Sequence, residues 1–232
     1  MRLALRSCLA AAALLTMAVG GNAPAQVPPT ASELQAYQAL HQAAWRGDVQ
    51  RLQALIAAGS DIEARDAQGR TPLHVATYAR QAAAITALAK AGARLDVLEN
   101  DRYDAITIAA VADDVPTLAL LLSLGASAKQ TTSRYDGTAL IAAAHLGHDE
   151  VVRRLIAAGA PLDHVNNLHW MAVIESIVLG DGGPRHQRTL ALLVDAGANL
   201  QLSDRQGNTP LQLASQRGYS AMVAKLKAAG AR

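Results

Sequence analysis

Six glycines recur along this chain at an almost constant interval, each near the end of a stretch rich in alanine and leucine. They are separated by 33, 33, 34, 38 and 33 residues: Gly59, Gly92, Gly125, Gly159, Gly197 and Gly230. A constant period of this length is typical of a solenoid, in which one supersecondary unit is repeated. One such unit has too little apolar surface to fold alone, so neighbouring units must stack. The spacing therefore predicts an elongated helical array that offers a surface rather than a deep reaction chamber.

The N-terminus has the pattern of a cleavable signal peptide over residues 1–25. Arg2 and Arg6 precede an apolar run from Leu9 to Val19, and a small-residue cleavage site follows at 23–25. The run is too short to span a bilayer, which takes about 20 residues. We expect cleavage after Ala25, export to the periplasm, and a flexible leader over residues 26–31. A signal anchor is the alternative interpretation, and destinations beyond the periplasm stay open.

Removal of residues 1–25 would change both the charge and the redox chemistry of the chain. The single cysteine, Cys8, is lost, so no disulfide or thiol nucleophile is expected. Loss of Arg2 and Arg6 lowers Lys+Arg from 21 to 19 against 19 Asp+Glu, and the formal net charge falls from +2 to 0. A neutral chain lacks the basic surface that nucleic-acid binding requires. No later segment predicts a membrane span, and we expect a monomer.

The residues around the repeating unit share a motif. Residues 69–76 read GRTPLHVA, residues 207–214 read GNTPLQLA, and residues 137–143 read GTALIAA. The motif resembles the ankyrin repeat, in which a TPLH helix start, a glycine-histidine turn and a second helix ending in glycine-alanine follow one another. The resemblance covers residues from about 34 to 232. It implies an all-α solenoid over residues 32–232, with short hairpin loops and six repeats near 33–66, 67–99, 100–133, 134–166, 167–204 and 205–232.

The resemblance also implies where a partner would bind, because ankyrin proteins usually meet partners on their concave face. Two exposed positions of each first helix and the residue before each motif threonine contribute to that face. In this chain these positions, together with Tyr135 near the tip of the fourth hairpin loop, form a row of aromatic, apolar and basic side chains. The predicted binding residues are Trp45, Arg46, Arg70, Tyr78, Tyr103, Val111, Tyr135, His145, Trp170 and Val178. An apolar row predicts a partner surface, and packing of these side chains on neighbouring repeats is the alternative.

Repeat five departs from the motif in two ways. Residues 170–176 read WMAVIES, which places Glu175 where the second repeat has Val75, close to the inner face. Five extra residues then lengthen the segment after Gly180, which we expect to form an irregular loop over residues 180–188. His164, His169 and His186 lie around this repeat, so a small-molecule or zinc site is an alternative function.

No catalytic signature occurs in the sequence, and no enzyme activity, cofactor or metal is expected. The resemblance implies that His41 and His74, at the histidine position of the ankyrin motif, bond backbone in the adjoining hairpin. His148 is the histidine of the glycine-histidine turn, and all three are expected to belong to the scaffold. The function predicted is binding of a protein or peptide partner. A structural spacer without a ligand is the remaining alternative.

Overall fold

The computed structural model describes residues 27–232, so the predicted signal peptide and its cleavage site lie outside the described residues. After a short helix α1, Ala31–Ala36, the chain forms six pairs of antiparallel helices. The first helices of the pairs are α2 Ala39–Arg46, α4 Pro72–Tyr78, α6 Ala105–Val111, α8 Ala139–His145, α10 Ala172–Val178 and α12 Pro210–Gln216. The second helices are α3 Val49–Ala57, α5 Ala82–Lys90, α7 Val115–Ser123, α9 Asp149–Ala157, α11 Pro184–Asp195 and α13 Ser220–Ala228.

The helix pairs stack in chain order, as the glycine period predicts. Each first helix packs on the first helix of the next pair, and each second helix packs on the next second helix. A leucine lies four residues before every closing glycine, and five of these six are fully buried: Leu88, Leu121, Leu155, Leu193 and Leu226. Burial of one leucine stabilises a fold by about 2 kcal/mol. These leucines form a continuous apolar layer through the stack.

The six closing glycines that define the period share one backbone conformation. Their φ angles lie between 78° and 96°, in the left-handed region that L side chains rarely adopt. A residue of this kind ends an α-helix and reverses the chain. The glycine recurs because each second helix must stop at the same place for the next unit to stack.

The motif threonines begin the first helices. The hydroxyl oxygen of Thr138 accepts a hydrogen bond from the Ile141 backbone N–H at 3.3 Å. In repeat three the motif position holds Asp104, whose carboxylate accepts from the Thr107 backbone N–H at 2.7 Å. Short polar side chains at this position satisfy backbone donors that the first helical turn leaves free.

The fold is mostly helical rather than all-α. Two strands of two residues each, β1 Thr131–Thr132 and β2 Gly137–Thr138, pair antiparallel in the loop before α8, with Thr131 opposite Thr138 and Thr132 opposite Gly137. The resemblance implied short hairpin loops, and this one is regular enough to form a ladder.

The structure describes residues 27–31 of the segment expected to be a leader, and only Ala31 is helical. Pro29 is buried, and Ala31 is the first residue of α1. Thr30 and Glu33 form a reciprocal capping box at the start of this helix. Thr30 thus belongs to the N-terminal cap of α1.

Candidate functional site

A groove of about 670 Å³ runs across the middle of the stack. It lies between the first helices of repeats three to five and the loops that precede them. Its lining residues are Val27, Asp101, Tyr103, Thr107, Thr132, Ser133, Arg134, Tyr135, Gly137, Thr138, Ile141, Ala142, His145, Leu146, Asn166, Leu168, Trp170, Glu175 and Leu179. We call this the inner groove. It is large enough for several side chains of a partner.

Consecutive loops are tied to one another by backbone hydrogen bonds, which fixes the outer wall of the inner groove. The Ser133 N–H donates to the Arg102 carbonyl at 2.8 Å, and the Asn167 N–H donates to the Tyr135 carbonyl at 2.9 Å. Asn167 Nδ2 also donates to the Arg134 carbonyl at 3.2 Å. Because each loop is hydrogen-bonded to the next, the aromatic side chains on these loops have fixed relative positions.

Three aromatic side chains line this wall at different depths. Tyr103 is half-buried, and burial together with the nearby Asp101 carboxylate raises its pKa to about 12. Trp170 is also partly buried and packs against the core. Tyr135 is 57% exposed. Aromatic rings supply large contact areas at a low cost in conformational entropy, so this wall suits recognition.

The exposed apolar surface is concentrated at the inner groove. Five large hydrophobic side chains are exposed among residues 27–232, and four of them, Val27, Tyr135, Leu168 and Leu179, line the groove. The fifth, Val165, lies outside it. Single exposed hydrophobic residues are normal on a protein surface, whereas a cluster of them indicates an interaction site.

The floor of the groove holds a buried carboxyl group. Glu175 on α10 is only 5% exposed, and its Oε1 accepts a hydrogen bond from Asn166 Nδ2 at 2.8 Å. The Asn166 Oδ1 accepts from the backbone N–H groups of Leu168 and Trp170, both at 3.0 Å, so the amide is oriented with its nitrogen toward Glu175. Burial raises the pKa of Glu175 to about 7, although the Asn166 hydrogen bond lowers it.

His145 lies beside this carboxyl group on α8. Its Nδ1 is 3.6 Å from Glu175 Oε2, too far for a hydrogen bond. Burial lowers the pKa of His145, and the nearby His186 and His148 imidazoles lower it further. A lowered pKa favours the neutral imidazole, and no lysine or arginine of residues 27–232 forms an ion pair with Glu175.

Comparison with known proteins identifies the repeat. A family model described as three copies of ankyrin repeats matches residues 40–132 and again residues 140–232. The chain belongs to the ankyrin repeat family. Ankyrin repeats are generally protein–protein interaction modules without enzymatic activity.

Similar proteins and structures share the ankyrin architecture. The chain is 34% identical over 190 residues to the putative ankyrin repeat protein YahD of Escherichia coli K12, which covers 82% of this chain and 94% of that protein. It is 30% identical over 172 residues to the NF-kappa-B p105 subunit of Gallus gallus, covering 73% of this chain and 17% of that protein.

Two crystal structures superpose over most of the chain. An ankyrin repeat domain from Acinetobacter baumannii AYE has a TM-score of 0.78 at 44% identity and covers 83% of this chain and 98% of that one. The ankyrin repeat domain of Bcl-3, a member of the IkappaB family, has a TM-score of 0.75 at 26% identity, covering 84% and 87%.

The inner groove brings together four of the predicted binding residues of this ankyrin protein: Tyr103, Tyr135, His145 and Trp170. The other surface members of the row, Trp45, Arg46, Tyr78, Val111 and Val178, do not line it. Arg46 is exposed and the remaining four are half-buried. Whether either group contacts a partner stays a prediction.

The expectation that Arg70 contacts a partner is corrected by its burial. Its side chain is 1% exposed, with Nη2 2.5 Å from Glu33 Oε1 and Nε 2.7 Å from Asp66 Oδ2. The Tyr37 hydroxyl donates to the same Asp66 oxygen at 2.8 Å. Burial would raise the pKa of Asp66, but the hydrogen bonds from Tyr37 and Arg70 hold it below its usual range. Arg70 therefore joins α1 to the first loop from the inside.

Sequence reasoning placed Glu175 close to the inner face but left it, with Asn166, Leu146 and Leu179, out of the binding set. Comparison of the repeats does distinguish Glu175, since repeats two, three, four and six have apolar residues at the same position. The same comparison does not distinguish Asn166, because the role of Asn166 depends on where a loop of repeat four meets α10.

The lengthened segment of repeat five differs from the loop we expected. Three of the extra residues extend the second helix, since α11 has 12 residues where α9 has 9. The remaining turn is held by Asp181, whose Oδ1 accepts from the Gly183 N–H at 2.8 Å and lies 2.7 Å from His186 Nδ1. The Tyr219 hydroxyl donates to the Gly180 carbonyl at 3.0 Å. This segment is therefore an ordered part of the stack.

The histidines mostly serve the scaffold. As predicted, His41 Nε2 donates to the Arg70 carbonyl at 3.0 Å and His74 Nε2 to the Val97 carbonyl at 3.0 Å. His148 Nδ1 also donates to a backbone carbonyl, that of Ala110, at 2.9 Å. His164 Nε2 also donates to a carbonyl, that of Asp136, at 2.6 Å. In residues 27–232 no group of three or more His, Cys, Asp or Glu side chains could hold a metal ion. Nor does any helix in that range have the length and apolarity to cross a membrane.

Proposed function

We propose that this ankyrin protein binds a protein or peptide partner in the inner groove, on the concave face of the solenoid, in the periplasm. The observation that carries the proposal is the clustering of exposed apolar side chains, Val27, Tyr135, Leu168 and Leu179, in one groove with an aromatic wall. Shielding this surface from water would supply the driving force for binding.

The test compares exposed residues inside the groove with one exposed residue outside it, after a partner has been identified by affinity capture with the purified protein. The groove variant replaces Tyr135, Leu168 and Leu179 by Ala, and the control replaces Val165, which is exposed outside the groove. All four side chains are exposed, so helicity by circular dichroism should not change. Each truncation removes apolar contact area, and we expect the groove variant to bind about tenfold more weakly or worse. Equal affinities of both variants and the wild type would contradict the proposal.

A second variant tests how far along the row the contact extends. Trp45 and Tyr78 belong to the predicted row but lie outside the inner groove. We expect the double substitution of these two residues by Ala to weaken binding less than the groove variant. A larger loss of affinity would indicate that the binding site lies nearer to repeats one and two.

The periplasmic location rests on the N-terminal pattern of residues 1–25. Osmotic-shock fractionation should release the protein, and N-terminal sequencing of the released form should begin at Gln26. A protein that stays in the spheroplast fraction with an intact N-terminus would contradict this part of the proposal. Light scattering of the released form tests the expectation of a monomer.

A further inference from the structure

Glu175 is a charge-bearing residue at a position where other repeats have apolar residues. The same position holds Val75, Ile108, Ala142 and Leu213 in repeats two, three, four and six. Because burial opposes ionisation, a carboxyl group here destabilises the fold unless something compensates for it.

Within residues 27–232, only one of the two carboxyl oxygens of Glu175 accepts a hydrogen bond from the protein. Oε1 accepts the hydrogen bond from Asn166, whereas no side chain or backbone group of residues 27–232 donates a hydrogen bond to Oε2, and His145 Nδ1 lies 3.6 Å from it. No lysine or arginine among residues 27–232 forms an ion pair with Glu175. The free oxygen belongs to a residue that lines the inner groove. At the floor of the groove, this oxygen could accept a hydrogen bond from a positively charged donor.

The surroundings of this position favour a lysine over an arginine. A guanidinium group binds a carboxylate best through two parallel hydrogen bonds, which need both oxygens. With Oε1 already bonded to Asn166, a single oxygen remains, which suits the compact ammonium group of lysine. The apolar side chains of Ile141, Leu146 and Leu179 line the same groove and could cover the aliphatic stem.

The charges around the mouth of the groove are already balanced. Asp101 forms an ion pair with Arg134, and Arg102 forms one with Asp136. The aromatic wall adds attraction for a cation, since the face of an aromatic ring carries partial negative charge. Glu175 is thus the groove acid that no Lys or Arg of the described chain balances.

We infer that the inner groove recognises its protein partner through a lysine side chain, whose ammonium group donates a hydrogen bond to Glu175 Oε2. The inference rests on the proposed function, because it names the chemistry of the partner in the same groove. The wall of aromatic residues would hold the segment around the lysine, and Glu175 would select the residue itself.

The probes for this inference are pools of N-acetylated hexapeptide amides with one central position fixed as Lys, Arg or norleucine and all others varied. Binding of each labelled pool to the purified protein is measured by fluorescence polarisation. Norleucine keeps most of the apolar stem of lysine but has no charge. We expect the Lys pool to bind about tenfold more tightly than the norleucine pool, as one charge-assisted hydrogen bond would give, and more tightly than the Arg pool.

Two variants decide whether Glu175 is responsible. Glu175→Gln should bind the Lys and norleucine pools alike, whereas the control Glu150→Gln, on the exposed side of α9 and paired with Arg154, should keep the preference. A preference for Lys that survives Glu175→Gln overturns the inference, and so does equal binding of the Lys and norleucine pools by the wild type.

Failure of this inference can be distinguished from failure of the proposed function. If all pools bind equally and Tyr135→Ala weakens every pool, the groove binds peptides without selecting lysine, and only the inference is overturned. If no pool binds at millimolar concentration, the inference is overturned, and the capture experiment decides the proposed function.

The preference should also depend on pH in a stated direction. His145 faces Glu175 from α8, His186 on α11 reaches the His145 carbonyl instead, and α12, Pro210–Gln216, carries no charged residue. Because the ammonium group binds the ionised carboxylate, the ratio of Lys to norleucine affinity should rise between pH 6 and pH 8. A ratio that falls over this range would contradict the role of Glu175.

Discussion

The Glu175→Gln substitution should make the protein more stable at alkaline pH, even though it removes a native side chain. Glutamine has nearly the shape of a protonated glutamic acid, and its oxygen can still accept the hydrogen bond from Asn166 Nδ2. It cannot ionise. The variant therefore isolates the free energy of placing a negative charge at this buried position.

The size of the effect follows from the pKa of Glu175, which burial raises from 4.5 to about 7. The folded state binds more protons than the unfolded state between these two values, so the stability contributed by this group is complete below pH 4.5 and is lost as pH rises through 7. A difference of this size corresponds to about 3 kcal/mol. The wild type should therefore match the variant near pH 4.5 and be less stable by about that amount near pH 8.

The assay is urea unfolding of both proteins at several pH values between 4.5 and 8, followed by circular dichroism. Other titrating groups contribute to both proteins and cancel in the difference of the unfolding free energies. A difference that does not change with pH would refute the reasoning, because Glu175 would then have the same pKa in the folded and unfolded states.

Three further outcomes concern the scaffold. Leu121→Ala removes a fully buried leucine of the apolar layer and should lower the free energy of unfolding by about 3 kcal/mol, measured by urea titration. Tyr37→Phe removes the 2.8 Å hydrogen bond to Asp66 and should cost about 1.5 kcal/mol, measured the same way, with an unchanged midpoint arguing against the network around Arg70. Burial lowers the pKa of His74 from 6.5 to about 4, so its contribution to stability is present above pH 6.5 and is lost as pH falls toward 4. His74→Gln, which copies Gln212 of repeat six, should remove that acid-induced loss of about 3 kcal/mol, and an unchanged slope in the unfolding free energy below pH 6.5 would contradict it.

The fold was predictable from the sequence because the repeats share the same short-range sequence pattern. A closing glycine at positive φ, a capping residue at each of Thr71, Asp104, Thr138 and Thr209, and a buried leucine before the glycine act within one unit. A pattern of this kind predicts the structure of one repeat from the sequence of that repeat alone.

The site was predictable only in part, because its geometry depends on contacts between units. Arg70 occupies the same motif position as Tyr103 and Trp170, yet it turns inward because Glu33 and Asp66 meet it there. The partners of Glu175, by contrast, come from α8 and from the loop before α10. No periodic pattern indicates whether a side chain will find such a partner across a repeat boundary.

The most direct test of a binding role for the inner groove is site-specific photo-crosslinking in living cells. A photoreactive phenylalanine analogue would replace Tyr135, which is 57% exposed in the groove, or Arg153, which is exposed on α9 away from it. Our account predicts a defined protein adduct from position 135 that disappears when Leu168 and Leu179 are also replaced by Ala, and none from position 153. The same adduct from both positions, or none from position 135, would contradict it.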